Sequence, residues 1–367
     1  MTETSRRPLQ VGISISSAPP IARVRRQVER AREAGFESVW WQDHLLGFAS
    51  EELWKTCAAS AVVASPHAVM DPFIAMAAAA EPAGDALVGV CVTDPIRRMP
   101  ATIVQTAMTL DHLAPGRVVI GLGAGEPMNY RPFGWDVPSP YRRLREAAEQ
   151  MRRLLDEATP DERGGLMALR PPEGSRGPQL WISAHGPKSQ EVAGRSGDGW
   201  LCALSDVPSW DEGRERVRRA AADAGRDPDA LTMALSVLVA VTDDPDLAER
   251  VLDHPVTKAN LLTLPARYYE AVGATNPLGD GLQHLMPGAM DHEVAVAAAQ
   301  VPLALSEAHF PHGTPEEVAD QLLRFEGADH VILWDIGPIV EPTLARTSAA
   351  GCAEVARRLR EATGAAA

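Results

Sequence analysis

Four short stretches carry side chains or turns suited to chemistry. WWQDH, residues 40–44, sets a carboxylate and an imidazole side by side, Asp43 and His44, where an apolar run ends. Imidazole exchanges protons near neutrality, which makes His44 a candidate acid or base. VVIGLGAGEPMN, residues 118–129, passes from another apolar run through Gly121, Gly123 and Gly125 to Glu126 and Asn129. Glycines there let a flat ring or a charged tail approach the main chain closely, and Glu126 is a second candidate acid. GVCVTD, residues 89–94, presents Thr93 and Asp94 at the end of a third run. SAHGP, residues 183–187, puts His185 and Gly186 ahead of a helical pattern whose first amides suit a phosphate. Pro187 fits the first helical turn. Each stretch also has a plainer reading: a tight turn for the glycines, a cap for Thr93, an exposed loop for His185.

The glycine run invites comparison with a dinucleotide-binding loop, Gly-x-Gly-x-x-Gly opening a helix after a first strand. Counted from Gly121, the sixth position is Glu126, and Pro127, Pro132 and Gly134 argue against an immediate helix. The run also follows the fourth strand candidate. A Rossmann dehydrogenase is therefore the last of the readings considered.

The elements that must position these residues alternate. Strand patterns at 11–15, 38–43, 87–93, 118–123, 180–185, 199–203, 231–240 and 331–336 are separated by amphipathic stretches at 21–34, 101–113, 142–157, 188–196, 210–224 and 315–325, with a last one at 344–361. Regular alternation means parallel strands with crossover helices. Eight such units in 367 residues predict an α/β fold, a (β/α)8 TIM barrel with insertions after strands 2, 4 and 7. We expect one domain over 1–367, with the largest insertion, 243–312, capping the barrel mouth. Its helical patches lie near 247–252 and 294–305; residues 160–178 read as loop.

Composition excludes several classes. The net charge is −14, from 49 acidic and 35 basic residues, and no basic face for nucleic acid is visible. The arginine clusters alternate with acids as on solvated helix faces. The start has no apolar leader, and the alanine-rich run at 74–80 is too short to span a bilayer. Four scattered cysteines (57, 91, 202 and 352) read as reduced and mostly buried, in a cytoplasmic protein. Ten histidines show no metal-ligand spacing, so no metal is expected.

Taken together, GFESVWWQDH, TDPIRRMPATIVQTAMTLDHLAPGRVVIGLGAGEPMN, ISAHGPKSQEVAGRSGDGW and GTPEEVADQL resemble the bacterial luciferase-like superfamily of barrel enzymes. The form G-A-G-E-P-M-N at 123–129 and the Asp43–His44 pair resemble its branch that uses the deazaflavin coenzyme F420. VCVTDPIRR, SAHGP and HVILWDIGPIVEPTLARTS look most like the phthiodiolone ketoreductase group.

The resemblance implies hydride transfer between F420 and a ketone-like, hydrophobic substrate, in a homodimer. It implies that Asp43 hydrogen-bonds the deazaflavin and that His44 lies over the reacting face as proton donor, with Glu126 as the second acid. Val90 and Cys91 fall where the family has a bulge with a non-prolyl cis peptide behind the ring, and Thr93 at the ring edge. Gly123, Gly125 and Asn129 line the cofactor, and Ala184, His185 and Gly186 hold its phosphate end. The sugar-phosphate grip of the glucose-6-phosphate relatives has no matching pattern in 243–312, where Lys258 and Arg267 occur. Residues 285–290 and 295–301 are apolar enough to roof a hydrophobic substrate or to be ordinary helical core. The competing accounts are an FMN-dependent monooxygenase on the same fold and a non-catalytic flavin-binding or deazaflavin-binding protein.

Overall fold

The computed structural model describes residues 8–47, 49–135, 138–156, 165–203, 206–279 and 287–364. Its strands are β1 (Gln10–Ser14), β2 (Ser38–Trp41), β3 (Leu87–Thr93), β4 (Val118–Leu122), β5 (Gln179–Ser183), β6 (Gly199–Ala203), β7 (Thr232–Val241), β8 (His312–Gly313) and β9 (His330–Asp335). Every pairing is parallel, in the order β6-β5-β4-β3-β2-β1-β9-β7, and β6 pairs with β7 to close the ring. The eight expected strands thus form the eight staves of a barrel. The ninth, β8, pairs only with the end of β7 at Ala240 and Val241. Two residues are too few to leave a periodic pattern, so this strand was not foreseen.

The staves read as continuous apolar runs because both faces are buried. Outward residues such as Val11, Val39, Val88, Leu180 and Leu333 pack under the surrounding helices. Inward residues Trp40, Val119, Trp181, Leu201 and Ile332 fill the bore. Two indoles do most of the filling: Trp40 and Trp181 lie 5.2 Å apart, and His330 meets both edge-on at 5.8 and 5.3 Å. Gly89 is required by this plug, since a Cβ there would stand 2.4 Å from the Trp40 ring. The plug is tied by hydrogen bonds. Trp40 Nε1 donates to Ser38 Oγ at 2.6 Å, and Ser38 Oγ lies 2.8 Å from His330 Nε2. Ser38 Oγ thus accepts from the Trp40 indole and is within hydrogen-bond reach of the buried His330 ring.

The expected crossover helices are present: Ile21–Glu33, Pro100–Asp111, Pro140–Asp156, Pro187–Ser196, Val207–Asp223, Pro315–Leu323 and Ser348–Ala362. Short helices at Glu51–Trp54, Pro255–Ala259, Ala266–Ala271 and Gly337–Val340 lie outside the expected patterns, and so does a longer one. Pro72–Ala79 begins at Asp71, whose carboxylate accepts from the amides of Phe73 and Ile74. Its sequence, PFIAMAAA, is apolar all round, so it has no 3.6-residue signal. The patch expected at 294–305 is two helices, Pro287–Gln300 and Leu303–His309, because Pro302 starts the second.

The insertion after β7 builds a second hydrophobic core. Leu252, Val256, Leu262 and Tyr269 pack with Ala49 and Leu53 from the segment after β2, and with Ile336 and Val340 from the segment after β9. Val294, Ala297, Ala298 and Val301 belong to this core, while Val296 is exposed. Leu285 and Met286, and the side chains of 287–290, lie outside the described residues. All four cysteines are buried, and none forms a disulfide among the described residues. Among the described residues no helix is long and apolar enough to cross a membrane.

Two outcomes follow. Ser38→Ala strands the Trp40 indole N–H and the His330 imidazole inside the bore. An unmet buried donor or acceptor costs about 1–3 kcal/mol, so the urea midpoint should fall clearly with the unfolding slope unchanged. The second concerns pH. Burial pushes the His330 pKa down to about 3, whereas the unfolded imidazole titrates near ~6.5. The unfolded chain therefore binds this proton and the folded chain does not, so this share of stability is present above ~6.5 and is lost as pH falls toward 3. His330→Gln should flatten the acid limb of the stability–pH curve between these two values; an unchanged slope contradicts a neutral buried imidazole.

Candidate active site at the barrel mouth

The C-terminal ends of β2, β3, β4 and β5 bring the chemical stretches to one rim. At its base is a buried ionic knot. Asp43, 2 % exposed, follows β2, and its carboxylate accepts four hydrogen bonds. Thr93 Oγ1 and Arg98 Nε donate to Oδ2 at 2.6 and 2.8 Å, and Arg97 Nη1 and Arg98 Nη2 to Oδ1 at 3.2 and 3.1 Å. Arg97 also donates to the Asp43 carbonyl at 2.6 Å and to Asp94 at 2.5 Å. Arg98 continues to Asp71 at 2.6 Å, the residue that caps helix Pro72–Ala79, and lies over the Phe73 ring. Burial acts to raise the Asp43 pKa. The hydrogen bond from Arg98 and the charges of Arg97 and Arg98, with Thr93, outweigh it and hold the group below the usual carboxylate range.

Sequence reasoning named Asp43, Thr93 and Asp94 but gave no role to the two arginines. The signal was in the quoted TDPIRR: two consecutive cations directly after a buried strand end. Their partners are far off in sequence, so spacing alone could not pair them. Asp43 and Thr93 spend their polar atoms on each other and on these arginines.

The next residue, His44, leaves the knot toward β4. Its Nδ1 donates to the Leu46 carbonyl at 3.2 Å, which turns Nε2 toward Glu126 Oε2 at 3.5 Å. Glu126 is half-exposed and His44 largely covered. Asn129 links the two loops. Its Oδ1 accepts from the amides of Leu45 and Leu46 at 2.8 and 3.1 Å, and its Nδ2 donates to Glu126 Oε2 at 3.1 Å. The expected break after Glu126 needs correction: Pro127–Tyr130 is a single helical turn. Pro127 stands at its first position, where a missing N–H costs nothing. That turn brings Asn129 back onto Glu126.

The β3 bulge lies between Val90 and Thr93, and the non-prolyl cis peptide joins Cys91 to Val92. This is one residue later than the Val90–Cys91 expectation, because Val90 still pairs in register with Ile120. The bulge turns Val92 toward β4, where a Cβ on Gly123 would stand 2.7 Å from its methyl group. Gly125 has a φ of 86°, in the left-handed region.

On β5, Ala184 is buried and its carbonyl accepts the Trp200 indole N–H at 2.8 Å. His185 is accessible, yet its pKa is lowered by desolvation, opposed by the Glu126 charge. Gly186 precedes helix Pro187–Ser196, and a Cβ there would meet nothing within 4 Å. The first-turn amides of that helix have no intrahelical acceptor. A polar cleft between helices Pro140–Asp156 and Pro187–Ser196, lined by Tyr141, Arg145, Glu149 and Glu191, contains none of these rim residues. Lys258 is nearly buried and paired with Asp253, and Arg267 stacks on Tyr268; neither is grouped with the rim.

Comparison with known proteins places the chain among relatives of the same fold. The family described as luciferase-like monooxygenase matches residues 7–329. The phthiodiolone/phenolphthiodiolone dimycocerosates ketoreductase of Mycobacterium tuberculosis (strain CDC 1551 / Oshkosh) is 32% identical over 352 residues, covering 90% of this chain and 92% of that protein. The F420-dependent glucose-6-phosphate dehydrogenase of Beutenbergia cavernae is 31% identical over 268 residues, 68% of this chain and 71% of that one. An F420-dependent secondary alcohol dehydrogenase, solved with an F420-acetone adduct, shares the fold at a TM-score of 0.75 and 23% identity, covering 96% of this chain and 99% of the other.

The knot makes a direct prediction. Arg97→Met leaves two buried carboxylates facing each other, and breaking a buried pair from one side costs about 3–5 kcal/mol. Chemical denaturation should report a loss of that order. Arg98, more exposed, should cost less when replaced by Met. Equal, small losses for both would show that the knot does not hold the rim.

Proposed function

The chain belongs to the luciferase-like monooxygenase family and is an oxidoreductase, and from that premise we propose that it transfers a hydride between coenzyme F420 and a ketone-like, hydrophobic organic substrate. The observation that carries the reading is the triad His44–Glu126–Asn129 beside the glycine turn of β4, with His44 Nε2 3.5 Å from Glu126. The preference for F420 is supported by relatives whose names specify that coenzyme. An enzymatic relative at 32% identity over most of the chain argues against the non-catalytic account.

The residues present fit a flat cofactor with an anionic tail. Gly123 projects no side chain from β4, and the Val92 methyl of the 90–93 bulge packs where one would stand, which would give the ring a low apolar backing. Ala184, His185 and Gly186 would hold the phosphate, with open space at Gly186 and a helix N-terminus behind it. Gly125 and Asn129 complete that edge. Asp43 and Thr93 would frame the ring, their polar atoms already engaged in the knot. When bound, F420 supplies a hydride from a carbon centre. The protein's share is orientation and proton management.

For that share, His44 is held by Leu46, so that its outer nitrogen faces the space beside Glu126. A protonated His44 donates from Nε2 to the carbonyl oxygen of the substrate as that oxygen gains charge. Glu126 balances the imidazolium and, half-exposed, passes a proton in from solvent. In the opposite direction His44 takes the proton from a hydroxyl. Asn129 keeps Glu126 and the 45–46 loop in register with each other. Residues 243–312 would cap the mouth and exclude water, all within one domain. The same reading carries a homodimer and a cytoplasmic location.

The FMN-dependent alternative is favoured by the family's description as monooxygenase. Titration of the purified apoprotein with F420 and with FMN separates the two; tight binding and turnover with FMN alone would sink the present reading. His44→Ala should lower kcat by about 10²–10⁴-fold, the usual share of general acid–base catalysis, with the dissociation constant for F420 almost unchanged. Turnover near wild type would remove His44 from the mechanism.

A further inference from the structure

The mouth has two unlike halves. Strands β2 to β5 contribute the imidazoles, the carboxylate and the glycines. The opposite side, β7 and β9, is apolar. Alternation along β9 sends His330, Ile332 and Trp334 inward, since Val331 and Leu333 pack outward. Alternation along β7 sends Ala234, Ser236 and Leu238 the same way. Trp334 and Leu238 are register partners at the top of their strands.

Both are only partly buried, and they join the two cores. Trp334 packs on the plug inside the bore, while Leu238 packs on the insertion core above it. That upper core also takes Met128, two residues from Glu126. An apolar surface therefore runs from the floor of the mouth up its β7–β9 side and reaches the proton-handling group. Trp334 is the largest side chain on this side: its β7 neighbour is Leu238, and β1 on its other flank ends at Ser14. Its indole N–H is shielded and has no acceptor among the described residues.

We propose that Trp334, backed by Leu238, is the wall against which the substrate lies, and that the size of residue 334 decides which ketones are accepted. This rests on the oxidoreductase reading above. A cofactor seated over β3, β4 and β5 leaves the β7–β9 side for the acceptor, whose carbonyl must point back across the mouth to His44. The acceptor's apolar part then meets the indole face. A smaller residue would raise the preference for branched or aryl groups, which Trp334 lets in but crowds.

The test uses the full-length wild type, Trp334→Phe and Trp334→Ala, with circular dichroism to establish folding; Phe keeps the plug covered if Ala does not fold. The first measurement is quenching of tryptophan emission by acetophenone, whose carbonyl quenches indoles at contact. A saturable component present in the wild type and absent from Trp334→Phe is expected, and identical quenching in both overturns the proposal whatever the cofactor is. The second is the dissociation constant for F420, expected within twofold across all three proteins. If the wild type itself binds no F420, the cofactor reading falls while the quenching result still judges the wall. The third is the ratio of kcat/KM for acetophenone over butanone. Trp334→Ala should raise it about tenfold, the scale on which pocket size discriminates substrates; an unmoved ratio overturns the assignment.

Discussion

The buried carboxylate of Asp43 is the constraint on which the rim depends. An isolated ionised acid at this depth would be prohibitively costly to bury. Two guanidinium groups and a hydroxyl make it tolerable, and in doing so they fix three chain segments at once: the exit of β2, the exit of β3 and the start of helix Pro72–Ala79. His44 is the next residue after that anchor. Its direction is inherited from the knot and finished by the Leu46 carbonyl. A buried ionic group of this kind adds little net stability relative to an apolar substitute, but it tolerates few alternative arrangements.

Below the rim the barrel is solid. Trp40, Trp181 and His330 close the bore, so a ligand can enter only from the top. Above the rim the insertion after β7 adds a second core that leans on the segments after β2 and β9. The mouth is thus a gap between two hydrophobic cores, polar where β2 to β5 end and apolar where β7 and β9 end. The proposed hydride transfer to a carbonyl would use that division: a dry place for the reacting carbon, and a proton source at one edge only.

Much of the fold was legible because parallel strands buried on both faces leave long apolar runs, and amphipathic crossover helices leave a 3.6-residue period. The elements that escaped left no such pattern: the all-apolar helix at 72–79, the two-residue strand at 312–313, and helices of one or two turns such as 51–54, 255–259 and 266–271. Among the site residues, Asp43, His44, Glu126 and Asn129 stood out by type and by standing at strand ends, and the structure does bring them together. Arg97 and Arg98 were visible as a pair of cations, but nothing local says that their partner lies more than fifty residues earlier. Trp334 looked like one more core residue of a strand.

The order of residues alone determined the repeating strand–helix pattern, hence a closed barrel, and which strand ends carry an acid, an imidazole or a bare turn. Each of these is a local property, set by side-chain type and spacing along a few residues. Tertiary structure alone decided that Asp43 turns its oxygens to Arg97 and Arg98, that Asn129 holds Glu126 to the 45–46 loop, and that Trp334 stands opposite them. Those pairings depend on strand register and on the fold of an insertion, and contacts across tens or hundreds of residues are fixed only when the ring closes.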